Sequence, residues 1–179
     1  MSDVRMYGED ESDLAPLADR RVAVVGYGSQ GHAHARNLSD SGVDVVVGLR
    51  EGSSSAPRAR EHGLEVRPIR VAVASADVVA VLIPDTAQPA VFENDVAPGL
   101  EEGDALLFAH GFNVHFGEIE PPPGVDVIMV APKSPGEMLR REYEAGRGVP
   151  ALVAVERDAT GRARELTLAY AAGLGSTRA

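Results

Sequence analysis

The sequence has 179 residues, 44% hydrophobic and 25% charged, an ordinary globular composition sized for about one domain. It contains no cysteine, which excludes disulfides, thiolate nucleophiles and cysteine-held zinc or iron–sulfur centres. Its net charge of −10 disfavours a nucleic-acid binder, which needs a basic face.

Residues 1–20 hold six acids and two arginines and read as a solvated, loosely ordered arm ahead of a domain over 21–179. No apolar run approaches the roughly 18 residues of a membrane span and no leader pattern opens the chain, so a cytoplasmic protein without a membrane partner is expected. From residue 21 onward short Val/Ile/Leu runs alternate with helical stretches. Strands are predicted at Val22–Gly26, Asp44–Gly48, Val78–Ile83, Ala105–Ala109, Val127–Val130 and Ala151–Val155. Most are apolar on successive residues, the pattern of strands buried on both faces. Helices are predicted at Gln30–Ser41, Ala56–His62, Arg70–Ala74, Pro89–Asp95, Pro135–Ala145 and Arg162–Ala172. In the last, Ala163, Leu166, Tyr170 and Leu174 share one face. The alternation predicts a Rossmann-type α/β fold: a doubly wound, mostly parallel sheet with helices on both faces. Pro121-Pro122-Pro123-Gly124 reads as a rigid turn within the domain.

The first strand runs into Gly26-Tyr27-Gly28-Ser29-Gln30-Gly31 and then a helix, which is GxGxxG in the context it requires. Gly26 permits the tight turn, Gly28 lets backbone approach a pyrophosphate, and Gly31 lets the helix pack close to the strand. The helix N-terminus offers N–H groups to the phosphates. The second strand ends at Arg50 with Ser53 and Ser55 following, where an NAD site usually carries an acid. A guanidinium and hydroxyls suit a 2′-phosphate, so NADPH is expected over NADH, with Glu51 as a competing feature.

These residues carry a resemblance. VAVVGYGSQGHAHARNLSDSGVDVVVGLREGSSS at 22–55, PDTAQ at 84–88, FAHGFNVHF at 108–116, DVIMVAPKSPGEMLRREYEAGRGVPALVAV at 126–155 and LAYAAGLGSTRA at 168–179 resemble ketol-acid reductoisomerase. That family rearranges a 2-hydroxy-2-alkyl-3-keto acid with magnesium and reduces the product with NADPH, in branched-chain amino-acid biosynthesis. The resemblance implies cofactor contacts from Tyr27, Gly28, Ser29 and Gln30, a 2′-phosphate site at Arg50, Ser53 and Ser55, and a nucleotide-contacting segment at Asp85, Thr86, Ala87 and Gln88. It implies a glycine near the nicotinamide at Gly136 and the catalytic histidine at His110. The residues alone agree on His110, which ends a buried strand where open α/β sheets bind ligands. Lys133 follows a later strand and is expected to face the same crevice. His32 and His34, two apart on a helix, read as surface or packing residues, and His115 as structural.

Two departures from the family pattern stand out. Where the family typically reads APKGPGH, this chain has Ser134 and Glu137. Ser134 is expected to restrict the loop, while Glu137 either repels an acidic substrate or sits at a helix start. The helical domain that supplies the family's magnesium carboxylates has no counterpart in these residues. Glu101/Glu102 and Glu118/Glu120 read as solvated surface, so no metal site is expected here and magnesium only through a second domain or chain. Three functions are expected to compete: the NADPH-binding half of a ketol-acid reductoisomerase acting on a small keto acid, a stand-alone NADPH-dependent reductase, and a non-catalytic NADPH-binding or sensing module. Binding of another adenine nucleotide is a more distant alternative. A partner chain carrying the helical domain, or a homo-oligomer, would cover the face that domain leaves bare.

Overall fold

The structure, a computed structural model, describes residues 5–179, so the first four residues of the predicted arm lie outside the described residues. Seven strands form one sheet: β1 (Arg21–Val25), β2 (Asp44–Leu49), β3 (Glu65–Pro68), β4 (Val78–Val81), β5 (Ala105–Phe108), β6 (Asp126–Pro132) and β7 (Ala151–Arg157). Their spatial order is β3-β2-β1-β4-β5-β6-β7. The first six run parallel and β7 pairs antiparallel with β6. The connecting helices are α1 (Ser29–Asp40), α2 (Ala56–Glu61), α3 (Ile69–Val73), α4 (Gln88–Val91), α5 (Phe112–His115), α6 (Gly136–Glu144) and α7 (Ala163–Gly173). The doubly wound, mostly parallel sheet expected from the strand pattern is the observed fold.

The continuous apolar strands follow from coverage on both faces. Along β1, Val22 and Val24 join a core under α1 and α7 with Leu38, Leu107 and Tyr170. Ala23 and Val25 join a second core on the opposite face with Val46, Val73, Val79 and Phe92. Every one of these side chains is buried, each contributing about 1.5–3 kcal/mol for the larger ones. On α7 the predicted face is inward: Ala163, Leu166, Tyr170 and Leu174 are all buried.

Several elements differ from expectation. β3 was not predicted, because Glu65-Val66-Arg67-Pro68 carries two charges and a proline in four residues. It is an edge strand, where such residues reach solvent on the unpaired side. α5 lies in what reads as loop after His110. The predicted helix Pro89–Asp95 is α4 followed by a wider π-turn over Phe92–Val96, which turns Phe92 and Val96 into the core. The arm is a correction: Ala15–Leu17 forms a 3-10 turn whose Leu17 is 1% exposed and joins the core under α7. Asp13 accepts the backbone N–H of Ala15 at 2.8 Å, fixing the start of that turn. Leu14, partly buried against the same core, joins Leu17 in docking the end of the arm.

His34 is 0% exposed on the inner face of α1, consistent with its reading as a packing residue. Burial pushes its imidazole down from the ordinary 6.5 to about 3, with the charge of His32 acting in the same direction. The unfolded chain takes up this proton as pH falls through 6.5, while the folded chain holds His34 neutral to about 3. Stability is therefore complete above 6.5 and declines as pH falls through that window. Urea unfolding at pH 7 and pH 5 checks this. The wild-type chain should lose about 2 kcal/mol more over that interval than His34→Gln, and equal losses would show that His34 does not carry the acid sensitivity.

Candidate functional site

The strand order reverses between β1 and β4, and a cleft of about 610 Å³ opens at their carboxyl ends. Gly26, Tyr27 and Gly28 enter it from β1, and Arg50, Ser53 and Ser55 from β2. Ala87 reaches it from the 3-10 turn Asp85–Ala87 after β4. Seven of the residues singled out from the sequence thus share one cavity. Leu82, Ile83, Ile69 and Val91 give it apolar walls, which suit an adenine ring.

The three glycines divide the work as the sequence pattern requires. Gly26 has φ +100°, and a Cβ there would lie 2.7 Å from Ile83 Cγ2 and 2.9 Å from Leu82 O. A Cβ on Gly31 would lie 2.4 Å from Gly26 O, so α1 touches the turn through this residue. A Cβ on Gly28 would meet nothing within 4 Å, and its φ of −82° suits any residue. Only Gly28 faces open space. That space fits a pyrophosphate set against backbone at the start of α1.

At the other end of the cleft Arg50 is exposed, with Arg60 beside it in an adjoining groove. Neither has an ion-pair partner among the described residues. Glu51 lines that outer groove and not the cleft. Arg58 donates to Tyr27 O at 2.8 Å and lies 5.5 Å from the Tyr27 ring centroid. Tyr27 is buried, its hydroxyl 2.8 Å from His62 Nδ1, so its side chain props the loop from behind. Sequence reasoning missed Arg58 and Arg60. Their signal was present, since both lie within two turns of Ser55 on α2.

The remaining predicted residues sit around the cleft and do not line it. Ser29 and Gly136 bring α1 and α6 together: Gly136 N–H donates to Ser29 Oγ at 3.1 Å, and a Cβ on Gly136 would lie 1.6 Å from Ser29 O. Gly136 is buried in this contact, so its glycine is required by packing. Gln88 is buried as well. Its amide donates to Ile83 O and Asp85 and accepts from Asn113 Nδ2, which leaves the side chain bonded to the protein and closed to the cleft. Asp85 O accepts from the same Asn113, while Thr86 is exposed. Ser134 needs no left-handed backbone, as every residue with positive φ is a glycine. Glu137 is exposed in the first turn of α6, where an acid favours the helix dipole.

His110 and Lys133 are both exposed, on the β5 and β6 side of the reversal. His110 Nδ1 accepts the backbone N–H of Phe112 at 3.2 Å, so in the neutral ring Nε2 carries the proton. His110 borders a second, apolar groove of about 420 Å³ with His115, Phe112, Phe116, Met129 and Ala154. Phe112 and Phe116 are 46% and 63% exposed with ring centroids 4.8 Å apart, and His115 packs edge-on against Phe116. Among the described residues no three His, Asp or Glu side chains are grouped to hold a metal. Among the described residues no helix is long and apolar enough to cross a membrane.

Comparison with known proteins agrees with this geometry. The profile of the family described as acetohydroxy acid isomeroreductase, NADPH-binding domain, matches residues 16–179. The chain belongs to this family. It is 58% identical over 175 residues to a ketol-acid reductoisomerase (NADP(+)) of Kocuria rhizophila, covering 98% of this chain and 51% of that protein. It is 57% identical to the same enzyme of Leifsonia xyli subsp. xyli, covering 97% and 51%. A solved ketol-acid reductoisomerase from an uncultured archean, described as NADH-preferring, superimposes with a TM-score of 0.95 at 46% identity, covering 98% of this chain and 54% of that one. The chain thus spans about half the length of the curated relatives it matches.

The glycine geometry separates folding from binding. Gly28→Val should melt within a few degrees of wild type yet lose at least about a hundredfold in NADPH affinity, because the side chain fills only ligand space. Gly31→Ala should instead lose stability, since its Cβ meets a carbonyl. Thermal melts paired with fluorescence titration check both, and unchanged NADPH affinity in Gly28→Val would remove the loop from the site.

Proposed function

We propose that this chain is the cofactor-holding half of a ketol-acid reductoisomerase that reduces a small 2-keto acid with NADPH once a second domain or chain completes the site. The observation that carries this reading is one cavity that joins the three-glycine turn to Arg50, Ser53 and Ser55. The turn fits a pyrophosphate, and the arginine and serines fit a 2′-phosphate. Bound NADPH would supply the hydride.

The roles of the chain's own residues follow from position. Gly28 and the first turn of α1 hold the pyrophosphate, and Arg50, Ser53 and Ser55 hold the adenosine end. A dinucleotide crossing the strand reversal places its nicotinamide over the β4–β6 side, where His110 stands. Its Nε2–H is free to donate to a substrate oxygen, stabilising charge as a carbonyl is reduced. Lys133, exposed past the end of β6, adds a cation for the carboxylate of a keto acid.

Magnesium does not fit the described residues, because no carboxylate group is arranged to bind it. Its ligands belong to the second domain or chain in this proposal, and the alkyl migration belongs with them. The apolar groove beside His110 supports such a covering partner, for two phenylalanines stand exposed at the place where substrate must be shielded from water. The solvent-facing Glu137 supports an intact site over a degenerate one, since it serves the start of α6.

Assay of NADPH oxidation with magnesium tests the proposal. The chain alone should bind NADPH and leave a 2-hydroxy-2-alkyl-3-keto acid untouched. Turnover of that substrate by the chain alone would overturn the division of labour. Turnover of only the rearranged 3-hydroxy-2-keto acid would favour a stand-alone reductase. For the cofactor, Arg50→Ala should weaken NADPH by about tenfold to a hundredfold and NADH by less than about threefold. Equal losses for both nucleotides would sink the 2′-phosphate assignment.

A further inference from the structure

The mechanism above leaves two of the molecule's most deeply buried polar side chains unused. His34 on α1 and Tyr170 on α7 are both 0% exposed, in contact at 3.0 Å between Nδ1 and the phenol oxygen. His34 Nε2 lies 3.2 Å from Gln30 Oε1, and Gln30 Nε2 donates to Ser134 O at 2.9 Å. These contacts form a single line from the core to the loop between β6 and α6.

The far end of the line fixes every proton in it. Ser134 O is a carbonyl and only accepts, so Gln30 must present its NH₂ to it. The amide oxygen of Gln30 then faces His34, which must carry its proton on Nε2. Nδ1 is thereby left as an acceptor, and the Tyr170 hydroxyl must be the donor. Any other arrangement sets two acceptors or two donors against each other. Burial keeps His34 neutral, so the order is stable at physiological pH.

We propose that Tyr170, His34 and Gln30 are a proton-ordered relay that positions the loop of Lys133 and Ser134 for the nicotinamide end of the cofactor. Two further bonds pin the same loop: Lys133 N–H donates to Pro150 O at 2.9 Å and Gly136 N–H to Ser29 Oγ at 3.1 Å. Ser29 and Gln30 are also the first residues of the phosphate-binding helix. The relay therefore couples the pyrophosphate end of the cleft to the loop beyond β6. The three relay residues are positioning residues, and the functional part of this assignment rests on the NADPH reading above.

Two measurements on the free chain and its complexes test the relay. Tyr170→Phe removes one hydroxyl from a ring that otherwise packs as before, and Gln30→Ala removes the links to both His34 and Ser134 O. Each should raise amide hydrogen exchange across 133–138 in the absence of cofactor. Because the links act in series, the double variant should raise it no further than either single one. Additive increases, or no increase, would overturn the relay. In the second measurement Tyr170→Phe should weaken NADPH by about threefold to thirtyfold while leaving adenosine 2′,5′-bisphosphate, which lacks the nicotinamide half, within about twofold. Equal weakening of both would overturn the positioning role. If the wild-type chain bound neither nucleotide, the cofactor reading would fall, and the exchange measurement would still decide the relay.

Discussion

One contact sets the geometry on which the site depends. Gly31 on α1 lies against the carbonyl of Gly26 so closely that a single added carbon would sit 2.4 Å from that oxygen. This approach seats the start of α1 directly over the end of β1. A helix N-terminus offers unsatisfied donors and the positive end of its dipole, which suit an anion. The positive φ of Gly26 turns the chain tightly enough to allow it. Gly28, between them, leaves open space on the side where a Cβ would stand.

The same strand reversal that makes the cleft divides its surroundings into two unlike halves. On the β1–β3 side the walls are apolar and the rim is rich in arginine and serine, which suits a nucleotide with phosphate at its edge. On the β5–β7 side the chain presents His110 beside an open aromatic groove, against a strand, β7, whose residues are largely solvent-facing. Asp126, buried at the start of β6, ties this region down by accepting from Ala159 and Thr160, so the groove is part of a fixed frame. A reducing site needs both halves dry. Only the first is walled by this chain's own side chains, and that asymmetry agrees with relatives about twice its length.

Much of this was legible from sequence because it depends on short-range rules. A strand buried on both faces must be apolar at successive positions, and β1, β4 and β5 are. A turn that binds phosphate needs glycine where backbone must bend or approach, and Gly26, Gly28 and Gly31 stand at those positions. Less legible were features made by long-range partners. β3 has little apolar character of its own and exists because β2 offers it an edge. Leu14 and Leu17 form only a short apolar stretch behind a run of acids, and the burial of Leu17 depends on α7. The sequence names Gln88 and Gly136 as neighbours of a nucleotide, yet gives no hint that Asn113 and Ser29 hold them, for those partners lie 25 and 107 residues away. His34 was recognisable as a packing residue; its bond to Tyr170, 136 positions on, was not.

Charge poses the remaining problem, for a chain of net charge −10 must hold an anionic nucleotide. The resolution lies in distance. At physiological ionic strength exposed charges are screened beyond about 8 Å, so the total matters less than the groups at the rim. There Arg50 and Arg60 stand without ion-pair partners among the described residues, and Arg58 backs Tyr27. The nearby acid Glu65 is engaged by Arg67 and Arg21, whose hydrogen bonds hold its carboxyl below the usual range. The described end of the acidic arm is docked through Leu17 under α7. Arg50 and Arg60 thus bring cations to a mouth that also carries Glu51 and Asp95. Raising the salt concentration should therefore weaken NADPH binding more in the wild-type chain than in Arg50→Ala, because exposed rim charges are the ones that salt screens.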